Sequence, residues 1–237
     1  MKLSSNQIIC ALDFDSISKA EDFVASINHD IIFKIGMEFF YSFGLEGVSK
    51  IRNLKKDAKL FLDLKLHDIP NTVVKGIYPL VKKVQPYMLT LHIAGGKKML
   101  QKSVAAVTEV SIEYNIKKPL LLGVTVLTSL DSNDFKEMGH IILIEDYVEN
   151  YSKIAKNSNL DGIICSPLEV HLVKKLHGDS LKLITPGIRL GKNSNDDQSR
   201  FLTPKEAFKM GSDFIVMGRP LINSKDPNKV IEKIIDY

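Results

Sequence analysis

Asp63 and Lys65 place opposite charges two residues apart inside the apolar run Leu60-Phe61-Leu62-Asp63-Leu64-Lys65-Leu66-His67-Asp68. Side chains alternate along a strand, so Leu60, Leu62, Leu64 and Leu66 share one face, and Phe61, Asp63, Lys65 and His67 share the other. Burying charge is costly unless it is paired or used, so these ions mark either a filling ion pair or a reacting site. Two further apolar runs are interrupted in the same way: Cys10-Ala11-Leu12 ends in Asp13, and Ile32-Phe33-Lys34-Ile35-Gly36 carries Lys34. A simple core would be filled by valine and isoleucine. Charges of alternating sign from three neighbouring strands fit a built electrostatic site better.

A second group lies in the C-terminal third, in Thr185-Pro186-Gly187-Ile188-Arg189 and Val216-Met217-Gly218-Arg219-Pro220. Gly218 lets backbone approach a ligand closely, and Arg219 can clamp an anion through two parallel hydrogen bonds. The chemistry that fits is phosphate binding, the alternative being a turn with a solvated arginine. The polar stretch from Gly191 to Thr203 is long for a strand-to-helix connection. It reads as a closing segment whose Gln198 reaches the ligand, or equally as an indifferent surface loop.

Other chemistries lose support. The sequence contains neither G-x-S-x-G nor a Walker A loop, and no histidine pair has metal-ligand spacing. His67 and His92, near strand ends, read as hydrogen-bonded supports rather than zinc ligands; His29, His140, His171 and His177 read as helix or loop residues. Cys10 and Cys165 lie in apolar segments, as buried reduced thiols do. The 32 basic and 28 acidic residues are scattered, which argues against nucleic acid as a partner. Apolar runs fall far short of the 18 or so residues needed to span a bilayer, and the polar start Met1-Lys2-Leu3-Ser4-Ser5-Asn6 lacks a secretory core. A cytoplasmic protein without membrane contact is expected.

These side chains need elements to hold them. Short strand-like runs occur at Ile8 to Phe14, Ile31 to Ile35, Leu60 to Leu66, Met88 to His92, Leu120 to Leu127, Gly162 to Cys165, Leu181 to Thr185 and Phe214 to Met217. Helical spacing follows them, as in Val73, Val74, Ile77, Tyr78 and Val81, or Leu100, Val104, Val107 and Val110. Ser18 with Glu21 and Thr203 with Glu206 have the spacing of capping boxes, and Pro70, Pro167, Pro204 and Pro227 suit first helical turns. Eight strand-helix units in 237 residues predict an α/β fold, one (β/α)8 TIM barrel spanning residues 1–237. An open doubly wound sheet would carry a Gly-rich turn where Asp13-Phe14-Asp15 stands. The barrel puts Asp13, Lys34, Asp63 and Lys65 near its C-terminal mouth, where enzymes of this fold react.

Nearly the whole chain resembles the orotidine 5′-phosphate decarboxylase family, in its compact bacterial form. The segment Asp63-Leu64-Lys65-Leu66-His67-Asp68-Ile69-Pro70-Asn71-Thr72 is similar to the family signature D-x-K-x-x-D-I-P-N-T without departure. Ala11-Leu12-Asp13, Lys34-Ile35-Gly36, His92-Ile93-Ala94-Gly95-Gly96, Val126-Leu127-Thr128-Ser129, Pro186-Gly187-Ile188-Arg189 and Met217-Gly218-Arg219-Pro220 also match, in the family's order. The resemblance implies loss of CO2 from orotidine 5′-monophosphate to give uridine 5′-monophosphate, the last step of de novo pyrimidine synthesis, with no metal or organic cofactor.

By the same resemblance, Lys65 stabilises the C6 carbanion and protonates it, Asp63 faces the substrate carboxylate, and Lys34 and Asp68 extend the charge array. Asp13 and Lys34 would hold the ribose, Thr128 the pyrimidine, and Arg189, Gln198, Gly218 and Arg219 the phosphate. Residues matching Asp68 and Thr72 reach the neighbouring subunit's site in the family, which implies a homodimer; Asp68 could equally be a local carboxylate at a helix start. A unit charge pair at about 4 Å and an effective dielectric near 20 is worth roughly 4 kcal/mol, so one lysine cannot supply a very large acceleration alone. The nearest rivals are a sister barrel acting on a sugar phosphate with Mg2+, disfavoured by Ile69-Pro70-Asn71-Thr72, and a non-catalytic phosphate binder.

Overall fold

Eight parallel strands, each hydrogen-bonded to the next and the eighth to the first, close into a barrel. The computed structural model describes residues 3–191 and 202–236. The strands are β1 (Ile8–Ala11), β2 (Ile32–Ile35), β3 (Lys59–Leu66), β4 (Met88–His92), β5 (Leu120–Val124), β6 (Gly162–Ile164), β7 (Lys182–Thr185) and β8 (Phe214–Met217). The helices are α1 (Ile17–Ser26), α2 (Met37–Leu54), α3 (Pro70–Val84), α4 (Gly96–Glu113), α5 (Ser132–Glu137), α6 (Ile144–Asn157), α7 (Val170–His177), α8 (Pro204–Met210), α9 (Arg219–Ile222) and α10 (Pro227–Ile235). The expected (β/α)8 architecture is therefore present, with strands one to three residues shorter than the apolar runs at several ends.

The period-two pattern sorts the strand residues into two cores. Ile9, Ala11, Ile32, Phe61, Met88, Leu122, Ile184 and Val216 fill the barrel interior. Leu60, Leu62 and Leu64 belong instead to the larger layer between strands and helices, with Val73, Ile77 and Val81 of α3. Parallel register sets Ala11 beside Lys34 and Lys34 beside Phe61, so inward side chains of β1 to β3 sit next to one another.

Pro70, Pro204 and Pro227 open α3, α8 and α10, and Pro167 opens a 3-10 turn, where a missing N–H costs nothing. Thr203 and Glu206 form the expected reciprocal cap: the Glu206 N–H donates to Thr203 Oγ1 at 3.3 Å, and the Thr203 N–H to Glu206 Oε2 at 2.8 Å. The expected box at Ser18 and Glu21 is corrected. Helix α1 begins two residues earlier, after Ser16, with the Ala20 N–H donating to the Ser16 carbonyl. The earlier start lets Ile17 pack against the core.

Leu64 and Leu66 still pack outward and Lys65 still faces the cavity, but past Asp63 the backbone of β3 leaves regular strand geometry. Lys65 has φ of 51°, a left-handed conformation costing a non-glycine residue about 1–2 kcal/mol. Between the Leu62–Leu89 and Leu66–Leu91 pairs, β3 advances four residues while β4 advances two. His67 thus leaves the strand exposed rather than continuing the inward face, and its ring lies 5.3 Å from that of His92.

Candidate active site

Asp63 projects from β3 into the barrel mouth, and its carboxylate is the hub of the polar cluster there. Its Oδ2 lies 2.9 Å from Lys65 Nζ and 3.4 Å from Lys34 Nζ, while its Oδ1 accepts a hydrogen bond from Thr90 Oγ1 at 3.1 Å. Lys34 also lies 3.9 Å from Asp13 Oδ1, just beyond β1. Asp63 is 8 % exposed, so its charge is held by protein groups rather than by water. Burial pushes its pKa up, but the charges of Lys34 and Lys65 and the hydrogen bonds from Lys65 and Thr90 outweigh burial and leave it below the ordinary carboxylate range. The carboxylate is ionised at neutral pH.

The cluster forms one end of a cavity of about 330 Å³. Asp13, Lys34, Asp63 and Lys65 line it together with the apolar wall of Val124, Val126 and Leu127. Gly187, Arg189, Gly218 and Arg219 line it as well, from the loops after β7 and β8. Gly218 caps the short helix α9, whose first residue is Arg219. One hollow thus combines an apolar wall, an ion array and an arginine-bearing rim, which suits a flat heterocycle carrying a phosphate.

Of the residues singled out from the sequence, Asp13, Lys34, Asp63, Lys65, Thr128, Arg189, Gly218 and Arg219 all line this cavity. Asp68 and Thr72 do not; both are exposed, and the Asp68 carboxylate accepts a hydrogen bond from the Ile69 N–H at 2.6 Å. Gln198 and most of the stretch from Gly191 to Thr203 lie outside the described residues. Cys165 lines the cavity too, but burial pushes its thiol pKa well up, as it does for Cys10, so neither is a ready nucleophile.

Residues 6–234 match the sequence model of the Orotidine 5'-phosphate decarboxylase / HUMPS family. The chain belongs to this family. Among curated relatives, an orotidine 5'-phosphate decarboxylase of Saccharophagus degradans is 39% identical, covering 99% of this chain and 95% of the relative. One from Wolbachia pipientis is 41% identical, covering 97% of each. The crystal structure of orotidine 5'-phosphate decarboxylase from Lactobacillus acidophilus superposes with a TM-score of 0.84 at 34% identity, over 98% of both chains.

Within the family frame, the sequence motifs left one contact unseen. Thr90 of β4 is fully buried, bonds Asp63 through its hydroxyl and accepts the Lys65 backbone N–H at 2.9 Å. The available signal was alternation: Thr90 stands two residues after inward Met88, the lone hydroxyl on that face of Met-Leu-Thr-Leu. His92, at the end of the same strand, has its pKa lowered by burial and by His67 and Lys65, so it is neutral at pH 7. Among the described residues no group of three or more His, Cys, Asp and Glu is placed to hold a metal ion.

Proposed function

We infer that this chain decarboxylates orotidine 5′-monophosphate to uridine 5′-monophosphate and CO2, the closing step of pyrimidine nucleotide synthesis. The observation that carries the reading is the ionised Asp63 held between Lys34 and Lys65 in a cavity that arginines also line. Relatives of nearly equal length, 37% to 41% identical and described by this activity, support it.

The residues account for the chemistry in sequence. Breaking the bond from C6 to the carboxylate carbon leaves an electron pair on C6, with no conjugated sink to receive it. The Lys65 ammonium stabilises that pair and then donates its proton to C6, so the amine, left neutral, regains a proton from solvent. Asp63, kept ionised by its cationic neighbours, faces the substrate carboxylate and repels it until CO2 departs. Lys34 balances Asp63 and, with Asp13, holds the ribose. Thr128 contacts the pyrimidine. Arg189, Gln198, Gly218 and Arg219 bind the phosphate, whose binding energy is available to the transition state although it is remote from C6.

Asp68 and Thr72 complete the array across a homodimer. Their exposure outside their own cavity supports this, as does that of the apolar Ile69 between them in sequence, which is 66 % exposed. The enzyme is assigned to the cytoplasm, in keeping with two free buried thiols; no helix among the described residues is long and apolar enough to cross a membrane.

An ultraviolet assay of the purified protein with orotidine monophosphate, with and without EDTA, tests the reading. Turnover unaffected by chelator is expected. Turnover of a sugar phosphate restored by Mg2+ would replace it with the sister chemistry, in which a metal stabilises an enediolate, and binding without any turnover would replace it with a non-catalytic phosphate binder.

A further inference from the structure

We propose that the Thr90 hydroxyl is the positioning group of the ion array, fixing the Asp63 carboxylate and the Lys65 backbone at once. The claim rests on the decarboxylase reading above and concerns how its lysine and carboxylate are held. Thr90 does not line the cavity, so it acts through the two residues it bonds, Asp63 and Lys65.

The argument starts from the broken ladder. Where β3 runs four residues against two of β4, the Lys65 N–H cannot reach a regular carbonyl partner on the neighbouring strand. Thr90 lies within that two-residue step, between Leu89 and Leu91. Its hydroxyl oxygen takes the stranded N–H at 2.9 Å and passes its own hydrogen to Asp63 Oδ1 at 3.1 Å. A hydroxyl has one hydrogen to give and lone pairs to accept with, so both capacities are used in one direction, from backbone to carboxylate. With Oδ1 committed to Thr90, Oδ2 is left facing the Lys65 and Lys34 ammonium groups.

The strain at Lys65 gives this arrangement its consequence. Left-handed backbone at a non-glycine residue persists only where the surroundings over-determine it. The Thr90 bond is one such constraint, made to the very nitrogen whose φ is 51°. Without it, Lys65 can relax toward ordinary strand geometry, which swings its Cα–Cβ direction and moves the ammonium relative to C6. Because Thr90 is fully buried, no water replaces the hydroxyl at low cost.

The test compares Thr90→Val, which keeps the shape and removes the hydroxyl, with Thr90→Ser, which keeps the hydroxyl and removes the methyl. Thr90→Val is expected to lower kcat per folded molecule roughly 100-fold, the scale set by misplacing a reacting group by about 1 Å. KM should stay within about threefold, because the phosphate and ribose contacts are untouched. Thr90→Ser should retain most of the wild-type kcat. A purely structural role would lower the melting temperature of Thr90→Val and leave its kcat per folded molecule alone. Wild-type kcat in Thr90→Val, or equal impairment of both variants, overturns the proposal. Should Thr90→Val not fold, Thr90→Ala carries the same comparison with Thr90→Ser. A crystal structure of the hydroxyl-free variant supplies the arm independent of turnover. Lys65 out of the left-handed region is expected there, and an unchanged φ with an unchanged Asp63–Lys65 contact refutes the claim. If wild type itself is silent on orotidine monophosphate, the decarboxylase reading falls, and this structural arm still decides what Thr90 does.

Discussion

Lys34 and Lys65 bring their ammonium nitrogens to within 3.4 and 2.9 Å of the same oxygen, Oδ2 of Asp63. Lys34 also lies 3.9 Å from Asp13, so two cations balance two carboxylates, and removing any member leaves an unbalanced charge in a poorly solvated place. The functional predictions follow from that dependence.

Lys65→Ala should lower kcat by at least roughly 10⁴-fold, since it removes the group proposed to supply both the stabilising charge and the proton. The fold should survive, because the barrel core does not use Lys65. Steady-state ultraviolet assays beside circular-dichroism melts check this; near-normal turnover in a folded variant would strip Lys65 of its role.

Asp63 also ties stability to pH. Its pKa is lowered in the folded protein, so between the folded and unfolded values the unfolded chain binds more protons, and stability rises with pH there. The contribution is fully present above the unfolded value, about 3.9, and is lost as pH falls through the lower folded value. The melting-temperature advantage of wild type over Asp63→Asn should therefore shrink as pH falls below about 4. A difference that stays the same from about pH 5 to about pH 2 would contradict the depressed pKa.

Arg219→Ala should raise KM for the nucleotide roughly 10-fold to 100-fold, the range for losing a charged hydrogen bond. The phosphate-free nucleoside should be a poor substrate for wild type and should not distinguish the two proteins. Equal sensitivity of nucleotide and nucleoside to the substitution would remove Arg219 from the phosphate site.

Gly36 offers a milder perturbation of the same array. A Cβ there would stand 3.1 Å from Lys34 Nζ and 3.4 Å from Asp13 Oδ1. Gly36→Ala should push the Lys34 ammonium aside and lower kcat/KM about tenfold, with little change in melting temperature. Unaltered kinetics would mean that Lys34 has room to shift without consequence.

The proposed crossing of Asp68 into a partner's site is open to complementation. Lys65→Ala and Asp68→Ala, each inactive alone, should regain activity when unfolded together and refolded. In a hybrid dimer one site carries both defects and the other neither, so random pairing restores about one quarter of the sites. No recovery from a mixture shown to contain hybrids would return Asp68 to the local role of a helix-terminal carboxylate.

Much of the molecule was legible in the order of its residues, because the signals are local. Leu60, Leu62 and Leu64 against Phe61 and Asp63 declared which face turns inward, and Pro70 and Thr203 marked helix starts through chemistry that acts within four residues. Eight repeats of strand and helix leave few ways to close a parallel sheet, so the barrel, and with it the shared mouth of Asp13, Lys34, Asp63 and Lys65, followed. The start of α1 was misplaced by two residues because packing of Ile17, not cap chemistry, set it.

Tertiary structure alone decided what holds the array. Thr90 is 25 residues from Lys65 and 27 from Asp63, and only strand pairing brings its hydroxyl to both. The left-handed turn at Lys65 has no glycine or asparagine to announce it; it exists because the slipped β3–β4 register and the Thr90 bond impose it. Residue type fixes which charges are present, whereas their separation and their protonation depend on contacts the chain makes only once the barrel has closed.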